Sequence, residues 1–288
     1  MEQVIIMGGG PAGVSAALYA RRGGLDPLLI HHGPGALAKA ECIENYYGLE
    51  RPLTGLELYE RGLSQAKALG IRILEAEVLE IGGFDTFEVK TTAGDFETVS
   101  VILATGSKRL TPDIKGVKEL EGRGVSYCAI CDAFFYRGKQ AAVLGNADFA
   151  LHEAELLSQT GVGVTILTDG KPAEFSRKTD LPVLTGKVLS VEGTEKVTGV
   201  LLEGSEEPLL AEGIFVALGN AGSAEIARQM GAELNEKGNI KVDDQMSSTI
   251  PGLYAAGDCA GGLLQVAKAV HEGAVAGLSA VKYVKRKK

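Results

Sequence analysis

The chain has 288 residues, 45 % of them hydrophobic and 23 % charged, with 39 glycines. That is the composition of a turn-rich α/β protein with room for one large or two medium domains. A net charge of −8 excludes a general nucleic-acid binder, and no apolar run reaches the ~20 residues that would span a membrane. The chain opens at once on a strand pattern, which leaves no stretch for a signal peptide. Four cysteines with one close pair make no secreted disulfide framework. The cytoplasm is therefore the expected compartment.

Val4-Ile5-Ile6-Met7 is an apolar run of the kind that forms a buried parallel strand. Gly8-Gly9-Gly10-Pro11-Ala12-Gly13 follows without a gap, and residues 14–22 carry Ala and Leu at helical spacing. Strand, glycine turn and helix together make the dinucleotide fingerprint. Gly8 permits the turn, Gly10 lets backbone approach the pyrophosphate, and Gly13 lets helix pack on strand. The helix N-terminus then offers its amides to phosphate. Residues 27–30 read as the next strand, whose end should carry an acid for the adenine ribose. His31 and His32 stand there instead, so that contact falls to a histidine, to backbone or to water. Turn formers fill residues 33–55, with Glu44-Asn45-Tyr46-Tyr47-Gly48 in their midst, and residues 56–69 show an amphipathic helical pattern ending at Gly70. Residues 71–103 read as a series of strands and hairpins, ending in a buried strand that runs into Ala104-Thr105-Gly106.

Residues 107–124, charged and dotted with glycine, are a candidate hinge into Val125-Ser126-Tyr127-Cys128-Ala129-Ile130-Cys131-Asp132. Two cysteines separated by two residues can close a disulfide within one turn. At a helix N-terminus the leading thiolate is favoured by the dipole. Asp132, directly after the second cysteine, can supply or take a proton. The bland alternative is half of a zinc site, which needs two more ligands. Cys42 and Cys259 are isolated and the histidines do not stand at metal-ligand spacing, so a redox pair is expected and no metal.

Residues 140–144 form another apolar strand, leading into Gly145-Asn146-Ala147-Asp148 and a helical run over 151–159. The chain thus holds a second, degraded copy of the nucleotide fold. Ala147 occupies the middle glycine position, where its methyl group intrudes on the place of a pyrophosphate. The strand over 162–167 ends in Thr168-Asp169-Gly170, and Asp169 would repel a 2′-phosphate. Short strands and hairpins fill 188–215, residues 216–219 close the domain, and 240–250 form the return hinge. Gly252 to Asp258 then reads as a strand meeting a tight turn, with Asp258 placed for a cofactor hydroxyl or as a helix N-cap. The terminal helix is expected over 263–284. Its basic end, residues 282–288, complements the helix dipole or docks an acidic partner.

In this order the motifs resemble the low-molecular-weight thioredoxin reductases, a family of flavoprotein disulfide reductases. The resemblance covers nearly the whole chain: the G-x-G-x-x-G at 8–13, A-T-G at 104–106, C-A-x-C-D at 128–132, and A-A-G-D at 255–258 followed by Gln265 and Ala267. It implies an α/β fold of two Rossmann-like three-layer ββα nucleotide-binding domains, the second inserted in the first. Residues 1–110 and 247–288 would bind FAD, and 111–246 would form the insertion. By the same resemblance Gly8, Gly10, Pro11, Ala12 and Gly13 lie at the pyrophosphate, His31 near the adenosine, and Ala104, Thr105, Gly106 and Gly257 in cofactor-binding turns. Asn45 would lie near the flavin, Asp258 on the ribityl chain, and Gln265 with Val266 at the ring edge. Cys131 would be the flavin-side thiol, Cys128 the interchange thiol that attacks thioredoxin, and Asp132 the general acid-base. A homodimer is implied as well.

The inserted domain departs from the NADPH-dependent members, which carry an intact G-x-G-x-x-A and an arginine-rich segment. Here Ala147 and Thr168-Asp169-Gly170-Lys171 stand in those places. The pattern resembles the ferredoxin-dependent flavin thioredoxin reductases, which implies reduced ferredoxin as the donor. An NAD(P)H-dependent reductase is the alternative within enzymes, and a non-catalytic flavin and disulfide sensor the alternative outside them.

Overall fold

The computed structural model describes residues 1–83, 85–106, 112–218 and 222–287. Residues 107–111 of the expected hinge, Gly219 and Lys288 lie outside the described residues. The chain divides into two compact units, Met1–Lys108 with Gly222–Lys288, and Arg109–Ala221.

In the first unit β1 (Val4–Met7) leads through the glycine turn to α1 (Pro11–Arg22), then β2 (Pro27–His31), α2 (Gly55–Ala68) and β3 (Arg72–Glu75). A small antiparallel sheet of β4 (Val78–Gly82), β5 (Phe87–Thr91) and β6 (Gly94–Thr98) precedes β7 (Val101–Leu103). The residues explain the elements. β1 and β7 are apolar throughout and buried at every position, as central parallel strands must be. The α2 helix starts at a capping box in which Thr54 and Glu57 satisfy each other's backbone amides. The expected strand series over 71–103 is present, but β3 and β7 leave the hairpins and join the parallel sheet.

The second unit begins with β8 (Val125–Ser126), the short α3 (Ala129–Asp132), β9 (Gln140–Leu144), α4 (Asp148–Gln159) and β10 (Gly163–Leu167). The strands β11 (Val183–Leu184), β12 (Val188–Gly193), β13 (Val197–Leu202), β14 (Leu209–Leu210) and β15 (Gly213–Val216) follow. Its parallel sheet has the order β11-β10-β9-β15-β8, and β12, β13 and β14 form a separate antiparallel sheet. Val125, Ala142, Leu144, Leu167 and Ile214 are buried in one core with residues of that smaller sheet.

The chain returns to the first unit with α5 (Ser223–Gln229), β16 (Leu253–Ala255) and α6 (Val266–Lys287). The five parallel strands there run β16-β7-β1-β2-β3. Sequence reading places this return at 247, whereas the first unit takes in residues from Gly222 onward. The reason is local bonding: Ser223 is tied to Thr105, and Ile240 N–H donates to the Cys259 carbonyl at 2.9 Å. The terminal helix starts at Val266 rather than at 263, because Gly261 and Gly262 both take positive φ and Leu263 and Leu264 stand exposed. It packs closely on α1. A β-carbon at Gly273 would sit 2.1 Å from the Ala12 carbonyl oxygen, and one at Gly277 would sit 2.5 Å from that of Ala16. Among the described residues no helix is long and apolar enough to cross a membrane.

Candidate active site

The glycine turn between β1 and α1 is built as the fingerprint requires. Gly8 has φ +111°, and a β-carbon there would lie 2.3 Å from the Ala104 carbonyl oxygen. One at Gly13 would lie 1.8 Å from the Gly8 carbonyl oxygen, so only glycine lets α1 sit on its own turn. Gly10 differs: its φ is −76° and a β-carbon would meet nothing within 4 Å. Space therefore opens beside the first turn of α1, where Pro11 stands at the first helical positions, no side chain caps the helix and no acidic residue occupies that turn. Uncapped amides, the positive end of a helix and open space beside Gly10 fit a dinucleotide pyrophosphate. Ala12 is buried, and its methyl faces inward toward Gly257, so only its backbone is available to a ligand.

The other expected cofactor residues gather in turns of the same unit. Ala104 is buried at the end of β7, Thr105 is exposed and Gly106 takes φ +83°. The Thr105 hydroxyl lies 2.6 Å from that of Ser223, whose backbone N–H donates to it in turn at 3.2 Å. Gly257, at φ +82°, caps a 3₁₀ turn over Asp258–Ala260, so Asp258 is the first residue of the turn and not its N-cap. That turn is clamped from α6. Glu272 accepts from the Gly257 amide at 2.8 Å, and Lys268 pairs with Glu272 at 2.8 Å while donating to the carbonyls of Gly257 and Gly261. Asn45 and Gln265, 220 positions apart, are joined by an amide–amide hydrogen bond of 3.0 Å, with Val266 beginning α6 beside them.

His31 ends β2 half-buried, and its Nδ1 lies 2.7 Å from the hydroxyl of Tyr59 on α2. Burial holds the imidazole below its usual value of 6.5; Lys67 and His32 act in the same direction and Glu75, its register partner on β3, against it. The unfolded chain therefore binds this proton more readily than the folded one. Stability is fully present above pH 6.5 and is lost as pH falls through the lowered folded value. Urea midpoints measured stepwise below that pH should fall, and His31→Gln should flatten this part of the profile.

The cysteine turn lies wholly in the second unit. Cys128 and Cys131 are joined in a disulfide, with Cys128 at the N-cap of α3. The Cys131 amide points at Cys128 Sγ, 3.1 Å away, so a thiolate on Cys128 would be favoured by that donor. Asp132 accepts from the Ser126 hydroxyl at 2.6 Å, and the same Ser126 oxygen accepts from the Cys128 amide at 3.1 Å. Glu153, from α4, accepts from the Ala129 amide at 2.7 Å. Cys128 is 2 % exposed while Cys131 is open to solvent. The interchange role expected for Cys128 thus requires it to gain access. Phe134 and Phe135, just beyond the turn, are 77 % and 68 % exposed. Cys259 is a different case: it is buried, donates to the Leu103 and Ala256 carbonyls, and burial pushes its thiol up to about 11.

The second glycine turn is covered by its own chain. The Glu174 amide donates to the Asn146 carbonyl at 2.7 Å, and the Asn146 side chain donates to the Pro172 carbonyl at 3.1 Å. Asp148, in the first turn of α4, accepts from the Ser176 amide at 2.8 Å and from its hydroxyl at 3.1 Å. Residues 172–176 therefore lie along the turn, and Asp148 of α4 itself sets a carboxylate at the helix end that would otherwise face phosphate. Asp169 is structural too, accepting from the Val188 amide at 2.9 Å.

Sequence reading missed Glu153, Tyr59 and Ser223, partners that only folding brings into reach, and also two local ones, Ser126 beside the cysteines and the i,i+4 pair Lys268–Glu272.

The family described as "Pyridine nucleotide-disulphide oxidoreductase" matches residues 2–273. A curated relative, "Thioredoxin reductase" of Treponema pallidum, is 36 % identical, with 98 % of this chain and 96 % of the relative covered. Among solved structures, the atypical thioredoxin reductase TRi from Desulfovibrio vulgaris Hildenborough is similar with a TM-score of 0.90 and 38 % identity, covering 100 % of this chain and 99 % of that one. A ferredoxin-flavin thioredoxin reductase from Clostridium acetobutylicum is similar with a TM-score of 0.74 and 31 % identity, covering 99 % and 98 %. Thioredoxin reductases of this family are FAD flavoproteins. The chain belongs to the pyridine nucleotide-disulphide oxidoreductase family, as a thioredoxin reductase.

Proposed function

We propose that this thioredoxin reductase takes its electrons from a one-electron protein donor, reduced ferredoxin, rather than from a pyridine nucleotide. The observation that carries this reading is the covered second glycine turn: residues 172–176 bond along it and Asp148 fills the helix end. A dinucleotide there would have to displace those bonds and sit against a carboxylate. The similar structure from Clostridium acetobutylicum, a ferredoxin-flavin enzyme by its name, points the same way. The reading carries with it a cytoplasmic homodimer.

FAD would lie along the Gly8–Gly13 turn, its pyrophosphate in the open space at Gly10 and against the amides of α1. Asp258 would take a ribityl hydroxyl, held in place by Lys268 and Glu272, and the Asn45–Gln265 pair would border the ring. When bound, FAD supplies a centre that gathers single electrons and passes two of them to the disulfide. With two protons these open Cys128–Cys131 to the dithiol. Cys128, its thiolate favoured by the Cys131 amide, attacks the thioredoxin disulfide to give a mixed disulfide and one free thiolate. Asp132, oriented by Ser126, takes the Cys131 proton and returns it to the leaving thiolate. Cys131 then attacks Cys128 Sγ, which re-forms the enzyme disulfide and expels the second thioredoxin sulfur as a thiolate; the proton that Cys128 gave up to solvent on ionising is taken back there, and thioredoxin leaves as the dithiol. Phe134 and Phe135 offer thioredoxin an apolar contact beside the reacting sulfurs.

Anaerobic stopped-flow mixing with NADPH, NADH and reduced ferredoxin tests the donor. Ferredoxin should bleach the flavin in a single turnover, and neither nucleotide should do so at micromolar concentration. Rapid bleaching by NADPH would overturn the reading.

A further inference from the structure

The α3 helix that carries the cysteines is only four residues long, too short to hold itself once its disulfide opens, because one helical turn does not recover its own nucleation cost. Something outside the turn has to keep the two thiols facing each other between turnovers. Two amides of the Cys-Ala-Ile-Cys run are held from other elements: that of Cys128 donates to Ser126 Oγ of β8 at 3.1 Å, and that of Ala129 donates to Glu153 Oε2 of α4 at 2.7 Å. Glu153 is 2 % exposed, on the inward face of α4 among Phe149, Ala150, Ala154 and Leu157. A carboxylate is costly to bury and is kept where its hydrogen bonds are strong. The mechanism given above makes no use of it.

We propose that Glu153 is a positioning residue that anchors the cysteine turn through the Ala129 amide, so that the dithiol keeps the shape from which the disulfide re-forms. It does not touch thioredoxin or donate a proton. Its effect is on the effective concentration of one thiol at the other, and hence on the thiol–disulfide equilibrium of the pair. A charge-assisted anchor of this kind corresponds to about a tenfold change in that equilibrium.

The proposal rests on Cys128–Cys131 being the enzyme's redox couple, and the test separates the two. Purified holoprotein is equilibrated in dithiothreitol buffers, where the reagent's dithiol gives two electrons and two protons to the enzyme disulfide and closes to its own ring. The dithiol fraction is then read by alkylation and mass spectrometry. Glu153→Ala should shift the equilibrium about tenfold toward the dithiol, about 30 mV more positive. Glu153→Gln keeps an acceptor for the amide and should stay within about twofold of the parent. A parental value in Glu153→Ala, or a shift in Glu153→Gln as large as in Glu153→Ala, overturns the anchor. Should the alanine variant fail to fold, hydrogen exchange of the Ala129 amide in the parent decides. Protection that persists in the reduced protein supports the anchor, and its loss on reduction overturns it. A pair that never titrates refutes the redox reading itself, while the Ala129 exchange still decides the anchor.

Discussion

Cys128→Ser should leave reduction of the flavin by its donor intact and lower thioredoxin turnover by roughly a thousandfold or more, the scale on which loss of an attacking nucleophile acts. A serine hydroxyl cannot attack a disulfide, and the proposed electron route reaches this sulfur only after the flavin has been reduced. Cys131→Ser should also stop turnover, but at a later step. Cys128 can still attack, and with no resolving thiol the mixed disulfide with thioredoxin accumulates, visible on a non-reducing gel. The pair of variants also resolves a tension in the structure. The amide of Cys131 favours the thiolate on Cys128, yet Cys128 is buried and Cys131 exposed. Rapid capture of thioredoxin by Cys128→Ser, with none by Cys131→Ser, would exchange the two roles.

Gly13→Ala and Gly10→Ala should fail in different ways. At Gly13 the added methyl would meet the Gly8 carbonyl oxygen at 1.8 Å, a backbone atom that cannot give way without lifting α1 off β1. The variant should lose at least about 1–3 kcal/mol of stability and purify without flavin. At Gly10 the φ of −76° suits any residue and nothing lies within 4 Å. The apoprotein should therefore melt at or slightly above the parent, since alanine restricts the unfolded chain. FAD affinity should nevertheless fall by at least about tenfold, because the methyl enters the space assigned to the pyrophosphate. Thermal melting of the apoproteins together with flavin titration checks both; unchanged FAD affinity in Gly10→Ala would place the pyrophosphate elsewhere.

What the sequence disclosed and what it withheld follow from the range of the forces involved. The turn at Gly8–Gly13 and the cysteine turn were legible because their constraints act between residues a few positions apart: a positive φ, a helix end, two sulfurs in one turn. The second strand, glycine turn and helix, β9 to α4, were legible for the same reason. The segment covering that turn was not, because residues 172–176 carry no motif and become meaningful only once bonded to Asn146 and Asp148. Tyr59 reaches His31 of β2 from α2, and Ser223 reaches Thr105 across 118 positions. α5, at seven residues, is too short to show a period, so the return into the first unit was read too late. Leu263 and Leu264 extended an apolar pattern that the two preceding glycines interrupt.

The packing of α6 on α1 bears on how the chain comes to be folded as it is made. Ser15 on α1 donates to the Val270 carbonyl on α6, 255 positions downstream, and β16 completes the sheet beside β7. At roughly 5–20 residues per second, Val101–Leu103 leave the ribosome on the order of ten seconds before the strand that will cover their edge. During that interval the whole of Arg109–Ala221, a contiguous stretch, is synthesised. A nascent chain thus exposes an apolar, unpaired strand edge for longer than it takes most domains to fold. Demand for a chaperone should accordingly concentrate on the first hundred residues and end when the last helix arrives.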